Sequence, residues 1–486
     1  MVKLLVSTDS TTVHKYDSTI LTDNHGSVPS YRSTVVQSYD KKIVVAKLVY
    51  IKTFGCQMNE HDSTKMMLVL ESMGYARASS ARDADLYLIN TCTIREKAHH
   101  KAISEMGRAP LIKRHTPGAL IGVCGCVAQE LGRRILDRFS DVDFILGPDQ
   151  IWRLPEVLER ASAGERPAFT DLINDPASYS FLGDVPRVTS YELRVTAFVT
   201  AIKGCNCACS YCIVPSVRGR EVCRPPDEIV EECQRLSDSG TKEVTLLGQN
   251  VCAYGKKSGV SLASLIRRIS RETGIIRIRF TSPHPKDVTD ELIDEYGANE
   301  KLAPHIHLPV QSGSNEVLAK MRRGYTRERY LDVARRLRAG RDGISITTDL
   351  IVGFCSETEA DYARTLDLMR EVEFDSAFAF MYSPRSGTEA AKGMADDVPR
   401  SVKEERLAEL LDLQRRSSRR RNEALVGSGG DALVVGLDRM GRGLLTGRLA
   451  DNRLVHFAGQ ESLIGSIVPV VITGANDNSL TGERAG

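Results

Sequence analysis

Short apolar runs and helical patterns alternate along most of this chain, and that alternation restricts it to the α/β architectures built on parallel sheets. In the first series the runs lie at Val49–Ile51, Leu86–Ile89, Ala119–Val123 and Val142–Leu146. Helical patterns follow each, from about His61 to Met73 and near Arg95, Gln129 and Ile151. Three of the runs end directly at cysteine: Gly55-Cys56, Asn90-Thr91-Cys92 and Cys124-Gly125-Cys126. Open α/β sheets bind their ligands at strand C-termini, so these thiols stand where chemistry is expected.

A stretch rich in Pro, Asp, Ser and Gly over 164–190 reads as a linker and precedes a second series. Its strands are expected at Thr196–Ile202, Glu243–Leu247, Ile276–Phe280, His305–Leu308, Ile344–Val352 and Ser376–Tyr382. Six βα units predict a partial (β/α)6 barrel with its working loops after the strands. A helix from Asp227 carries Ile229, Cys233 and Leu236 on one face. The helix from Arg400 to about Ala424 shows a stripe of Leu407, Leu410 and Leu411. After Gly427-Ser428-Gly429-Gly430 come short β-branched runs at Leu433–Val435, Leu454–Phe457 and Val468–Ile472, which suit a small β-barrel. The domains expected are 1–46, a flexible extension without sustained periodicity; 47–163; the linker; 191–424; and 425–486.

At 486 residues several domains are required. The formal net charge of +2 neither favours nor excludes a polyanionic partner. No apolar run approaches the roughly 18 residues of a membrane span. Leu4-Leu5-Val6 is too short for a secretory signal, so a cytoplasmic, reducing setting is expected. There, twelve cysteines point to metal or redox chemistry rather than disulfides.

Cys205, Cys209 and Cys212 form C-x-x-x-C-x-x-C in a loop directly after a strand. Three thiolates hold three irons of a [4Fe–4S] cluster, which ordinarily takes four cysteines. The fourth iron is left for the amine and carboxylate of S-adenosylmethionine, and an electron passed through it can release a 5′-deoxyadenosyl radical. A zinc site would want two ligand pairs or a histidine completing the set, and none is close in sequence. Cys207 lies inside the loop and reads as a bystander, a fallback ligand being the alternative.

Gly204-Cys205, Cys209-Ser210-Tyr211-Cys212-Ile213-Val214-Pro215 and Arg218-Gly219-Arg220 together resemble the radical-SAM methylthiotransferases. So do Thr53-Phe54-Gly55-Cys56-Gln57-Met58-Asn59, Asn90-Thr91-Cys92, Gly125-Cys126-Val127-Ala128-Gln129, His307-Leu308-Pro309-Val310-Gln311-Ser312-Gly313-Ser314 and Leu444-Leu445-Thr446-Gly447-Arg448. The likeness runs from about Lys47 to the C-terminus. It implies a second [4Fe–4S] cluster on Cys56, Cys92 and Cys126, with Cys126 preferred over Cys124. That cluster would supply sulfur for replacing an unactivated C–H by C–SCH3, with S-adenosylmethionine as both methyl donor and radical source. Tyr211 resembles the aromatic beside the adenine, Gly248 and Gln249 the segment holding the methionyl amine, and Ile351 and Gly353 the strand lining the adenine, with Gln311 in a further family block. Gly248 reads equally well as a tight turn. Cys355-Ser356 depart from the usual Pro-Gly, which leaves that loop's shape open. Cys223, Cys233, Cys252 and Cys355 read as structural.

The C-terminal barrel resembles the RNA-binding TRAM domain. Arg439, Arg442, Arg448 and Arg453 are offset by nearby acids, and the run Arg415-Arg416-Ser417-Ser418-Arg419-Arg420-Arg421 is a candidate phosphate contact. Within the family, Asn90 to Ala98 and Val244 to Val251 look most like the branch acting on prenylated tRNA. The resemblance therefore implies methylthiolation of C2 of N6-dimethylallyladenosine beside the anticodon (position 37), in a loop suited to protein recognition. The partners implied are tRNA and an electron donor of unknown identity, for a monomeric enzyme. Competing readings are methylthiolation of threonylcarbamoyl-adenosine, or of a ribosomal-protein aspartate, and a non-catalytic iron–sulfur RNA-binding sensor.

Overall fold

The computed structural model describes residues 12–15, 34–39, 42–94, 96–173, 195–256, 259–438 and 440–485. The expected linker from 174 on, and Arg95 and Arg439, lie outside them. The chain divides into two compact units, residues up to 173 and residues from 190 on. In the extension, the strands Thr12–Lys15, Thr34–Tyr39 and Lys42–Val45 form an antiparallel sheet where the sequence reading expected no regular element.

The first unit is built on six parallel strands. In spatial order they are Tyr75–Arg77, Lys47–Thr53, Leu86–Thr91, Leu120–Gly125, Phe144–Leu146 and Ala168–Phe169. Four were expected; the two edge strands are three and two residues long, too short to show a period. Leu86–Thr91 is buried at every position, as a central parallel strand covered on both faces must be. Leu86 and Leu88 enter one core, with Met66, Leu70 and Phe144. Tyr87 and Ile89 enter the other, with Ala102, Met106 and Ile135.

In the second unit six parallel strands follow chain order in two sheets of three. Thr196–Thr200, Glu243–Leu247 and Arg277–Phe280 form one, His305–His307, Ser345–Val352 and Ser376–Met381 the other. Ile346, Leu350 and Val352 join the core beneath the surrounding helices. Thr347, Asp349 and Ile351, pointing the opposite way, line the concave face.

Along the helix Arg400–Glu423 the expected leucine stripe holds at two of its three positions, Leu407 packing against the core and Leu410 lying in it. Leu410 is buried, but Leu411 is 40 % exposed, and the buried face runs Lys403, Arg406, Leu410, Gln414, Ser417, Ser418, Asn422. This face docks by hydrogen bonds as well as apolar contact: Gln414 Nε2 donates to Phe374 O (2.9 Å), Ser418 Oγ to Asp375 O (2.8 Å) and Asn422 Nδ2 to Asn476 O (2.8 Å). The helix's arginines are matched by acids: Arg415 and Arg416 by Asp412, Arg419 by Glu423, Arg420 by Glu373 and Arg421 by Asp375. The run is thus largely neutralised within the protein, which weakens it as a phosphate contact.

Five strands close the C-terminal barrel, two more than the sequence showed: Gly429–Leu437, Leu445–Arg448, Leu454–Phe457, Leu480–Arg484 and Ile467–Ala475 in spatial order. Val434, Leu445, Val455, Phe457, Val470 and Ile472 fill it. It is tied to the preceding sheet by buried arginines. Arg277 Nη1 donates to Arg448 O (3.1 Å) and Arg279 Nη2 to Leu449 O (3.0 Å), while Glu243 pairs with both guanidiniums (3.5 and 2.9 Å).

Candidate functional site

The first unit's strand order reverses between Lys47–Thr53 and Leu86–Thr91, since the chain's second strand pairs outside the first. At such a switch point the loops leaving adjacent strands diverge and open a crevice at the strand C-termini. Cys56 follows one of these strands, Cys92 the other, and Cys126 follows the next strand along.

Backbone packing there is tight. Gly55 has φ +139°, and a Cβ on it would stand 2.5 Å from Cys92 Cβ and 2.4 Å from Asn59 Oδ1. Only glycine lets the two cysteine loops approach this closely. Asn59, fully buried, anchors both: its Oδ1 accepts from Cys56 N and Sγ (3.4 and 3.5 Å), and its Nδ2 donates to Thr91 O (2.9 Å). The Cys92 thiol is raised by its hydrogen bond with Cys56, then by burial and by the charges of Cys56 and Cys126. The Cys56 and Cys126 charges thus both act on the Cys92 thiol, which places the three expected ligands in one neighbourhood. Cys124 does not join them: it packs in the apolar core with Val49, Met66 and Phe144.

The second triad is likewise brought together. Cys205, Cys207, Cys209 and Cys212 form one cluster with Val214. The loop turns at Gly204 (φ +70°), where a Cβ would stand 2.0 Å from Arg220 O. Burial, then Cys209, pushes the Cys212 thiol up to about 12. The Cys205–Cys207 hydrogen bond raises Cys205 and lowers Cys207. Sulfur and oxygen atoms of Cys205, Cys207 and Glu221 lie within 4.8 Å of one another, but Glu221 is engaged by Asn206 N and Nδ2, both at 3.1 Å. Cys207 Sγ accepts from Asn250 Nδ2 at 3.4 Å.

Of the expected cofactor-side residues, Tyr211 lies in this loop, Gln249 bonds to its first residue and Ile351 packs in one cluster with Tyr211. Gln249 Oε1 accepts from Gly204 N, while its Nε2 is buried without a partner; an orphaned donor on a side chain that holds the start of the cysteine loop fits a ligand carrying a carboxylate. A Cβ on Gly248 would lie 2.5 Å from Ile202, so close packing accounts for that glycine. The Tyr211 ring stands 6.2 Å from Phe354, edge to face. Ile351 packs beside both. Gln311 adopts φ +72°, held by Gln311 N to Asp349 O and Ile351 N to Gln311 O, both 2.9 Å. Gly353 N donates to the buried Glu357 carboxylate at 2.6 Å, which pairs with Arg406 at 2.9 Å. The atypical loop is defined by Ser356, at φ +55°. Its N and Oγ donate to Asp397 at 2.7 and 2.8 Å, compensating a conformation that ordinarily favours glycine.

Two residues went unrecognised in the sequence. His284 Nε2 is 3.8 Å, and Arg323 Nη1 3.5 Å, from Cys209 Sγ. Burial, then Arg323 and two lysines, pulls the His284 imidazole down to about 2. His284 lies just beyond the strand Arg277–Phe280, so the strand-end rule that singled out the cysteines reaches it too. Arg323 follows a short helix and carries no such signal. On the concave face, Phe378 and Phe380 are 49 % and 38 % exposed, Phe378 lying edge to face with His307 at 6.2 Å. His307 also contacts Asp349 Oδ2 at 3.3 Å.

Residues 48–147 match the model of Uncharacterized protein family UPF0004, residues 199–369 that of the Radical SAM superfamily, and residues 423–484 that of the TRAM domain. A tRNA-2-methylthio-N(6)-dimethylallyladenosine synthase from Geotalea uraniireducens is 46 % identical over 439 residues, 90 % of this chain and 98 % of the relative. One from Anaeromyxobacter dehalogenans is 48 % identical over 447 residues, covering 90 % and 94 %. Among solved structures, the radical S-adenosylmethionine methyltransferase TsrM from Kitasatospora setae, with tryptophan and a SAM analogue bound, superposes with a TM-score of 0.50. It covers 69 % of this chain and 73 % of its own at 15 % identity, a likeness of fold alone.

Proposed function

The chain belongs to the family of tRNA-2-methylthio-N(6)-dimethylallyladenosine synthases, and from that premise we propose that it replaces the C2 hydrogen of N6-dimethylallyladenosine in tRNA by a methylthio group, beside the anticodon. The observation that carries this reading is the pair of cysteine triads, one in each unit: Cys56, Cys92 and Cys126 follow the C-terminal ends of three parallel strands, and Cys205, Cys209 and Cys212 share one loop. When bound, [4Fe–4S] clusters and S-adenosylmethionine supply the radical chemistry that breaks an unactivated C–H bond, and the sulfur and methyl group that replace the hydrogen.

Cys205, Cys209 and Cys212 hold one cluster, Cys56, Cys92 and Cys126 the other. Gln249 Nε2 would be a donor to the methionyl carboxylate of S-adenosylmethionine, and Tyr211, Ile351 and Gly353 would border its adenine. Cys207, held by Asn250, stands beside the ligands. Cys207→Ala is therefore expected to keep its full iron content, and Cys209→Ala to lose about half; equal losses in iron assays would assign Cys207 to the cluster. We assign 47–163 to the sulfur-supplying domain, 191–424 to the radical domain and 425–486 to RNA binding. The enzyme works as a cytoplasmic monomer served by a separate electron donor. No helix among the described residues is long and apolar enough to cross a membrane.

The prenyl group is matched to Phe378 and Phe380. Ala377, Ala379 and Met381 of the same strand pack into the helix-side core, so the two rings face the concave side, in register with Asp349 and Ile351. A threonylcarbamoyl carboxylate placed there would meet Asp349. Phe380→Ala is expected to raise KM for prenylated tRNA about tenfold, a loss of about 1.4 kcal/mol, and to narrow the preference over unprenylated tRNA. The decisive assay is nucleoside analysis of prenylated tRNA incubated anaerobically with reconstituted enzyme, reductant and S-adenosylmethionine. A methylthio product supports the reading; product only on threonylcarbamoylated tRNA or on protein overturns the substrate.

A further inference from the structure

The Arg323 side chain is buried, with 5 % of the residue exposed, and its contacts are neutral oxygens and sulfur. Nε donates to Tyr325 Oη at 3.2 Å and Nη2 to Pro309 O at 2.8 Å; Nη1 lies 3.5 Å from both Cys209 Sγ and Tyr211 Oη. Among the described residues no carboxylate pairs with it. A guanidinium stays charged, and a buried charge without a counter-charge is strongly unfavourable. Cys209 is the neighbour able to supply the missing negative charge, because a cysteine that ligates metal does so as thiolate.

His284 approaches the same sulfur from another element. Its Nδ1 accepts the Lys286 N–H at 3.3 Å, capping the turn Pro285–Asp287. A nitrogen that accepts carries no proton, so the ring proton is on Nε2, facing Cys209 Sγ at 3.8 Å. An edge-to-face contact with Tyr325, centroids 5.7 Å apart, holds the ring. Tyr325 thus touches both donors and fixes them relative to each other.

We propose that Arg323 and His284 are positioning residues that hold the Cys209 corner of the cluster with one positive charge and two hydrogen-bond donors, and so set the potential at which that cluster takes up its electron. The proposal rests on the assignment of Cys205, Cys209 and Cys212 as cluster ligands. Cluster potentials follow net charge and hydrogen bonds to sulfur. Reduction adds negative charge, so a nearby cation and donors favour the reduced form, and removing them moves the midpoint to more negative potential.

The test is a redox titration of reconstituted full-length protein, followed by electron paramagnetic resonance without S-adenosylmethionine. The signal to follow is the one that added S-adenosylmethionine perturbs. Arg323→Gln and His284→Leu are each expected to show a more negative midpoint at wild-type iron content, with Arg323→Lys shifted less than Arg323→Gln. Midpoints matching wild type overturn the proposal, as does a fall in S-adenosylmethionine affinity without a shift, which would make Arg323 a carboxylate ligand. Should Arg323→Gln fail to fold, His284→Leu and Arg323→Lys decide, an unmoved midpoint in His284→Leu overturning the paired role. A wild-type protein with no perturbed signal would instead remove the cluster assignment itself.

Discussion

Cys92→Ala is expected to abolish methylthio transfer, by at least about 100-fold, while the same preparation still cleaves S-adenosylmethionine. Loss of groups that merely support metal ligands costs roughly 10–100-fold, and Cys92 is proposed as a ligand itself. It is fully buried, hydrogen-bonded to Cys56 and within the field of Cys126, so a methyl group in its place leaves the triad one thiolate short. All three of these cysteines lie in the first unit, and Cys205, Cys209 and Cys212 all lie in the second, so each set can be disabled alone. Deoxyadenosine release, methylthio-nucleoside yield and iron per chain, measured together, separate the two halves. Cys209→Ala is expected to eliminate both products. Methylthio-nucleoside persisting in Cys92→Ala would remove the first unit from the chemistry.

Glu243→Ala is expected to destabilise the second unit by about 3–5 kcal/mol, the usual cost of breaking a buried ion pair by deleting one partner. Glu243 is 3 % exposed and is the carboxylate shared by Arg277 and Arg279, which are themselves 7 % and 6 % exposed. Without it, two guanidiniums remain side by side in a sheet sealed by the C-terminal barrel, to whose carbonyls they already donate. The double variant Glu243→Leu/Arg279→Met is expected to recover part of the loss, because it removes a buried charge along with its partner. Urea unfolding monitored by limited proteolysis of the second unit reads both. A single variant as stable as wild type would mean that water reaches these arginines.

Most of the architecture is legible in local patterns. Apolar runs alternating with helical patterns show the parallel sheets, and the spacing of Cys205, Cys209 and Cys212 in one loop shows the second triad; the grouping of Cys56, Cys92 and Cys126, far apart in the chain, came only from the family resemblance. Short edge strands such as Tyr75–Arg77 escape, because three residues cannot show a period. The leucine stripe of Arg400–Glu423 held at Leu407 and Leu410 but not at Leu411, and it left out the polar part of the buried face, which carbonyls of distant residues satisfy and a helical wheel does not contain.

What residue order determined about this protein is the identity of its strands and the spacing of its thiols, because hydrophobic period and cysteine spacing are properties of neighbours in the chain. What only the tertiary structure decided is which strand ends become neighbours in space. The second strand pairs outside the first, opening the switch point between Cys56 and Cys92. Strand alternation sends Cys124 into the core while Cys126 begins the next helix. His284 and Arg323 arrive at Cys209 from 75 and 114 residues away. Those contacts arise from long-range packing, in which the residues that meet share no local pattern for a sequence to display.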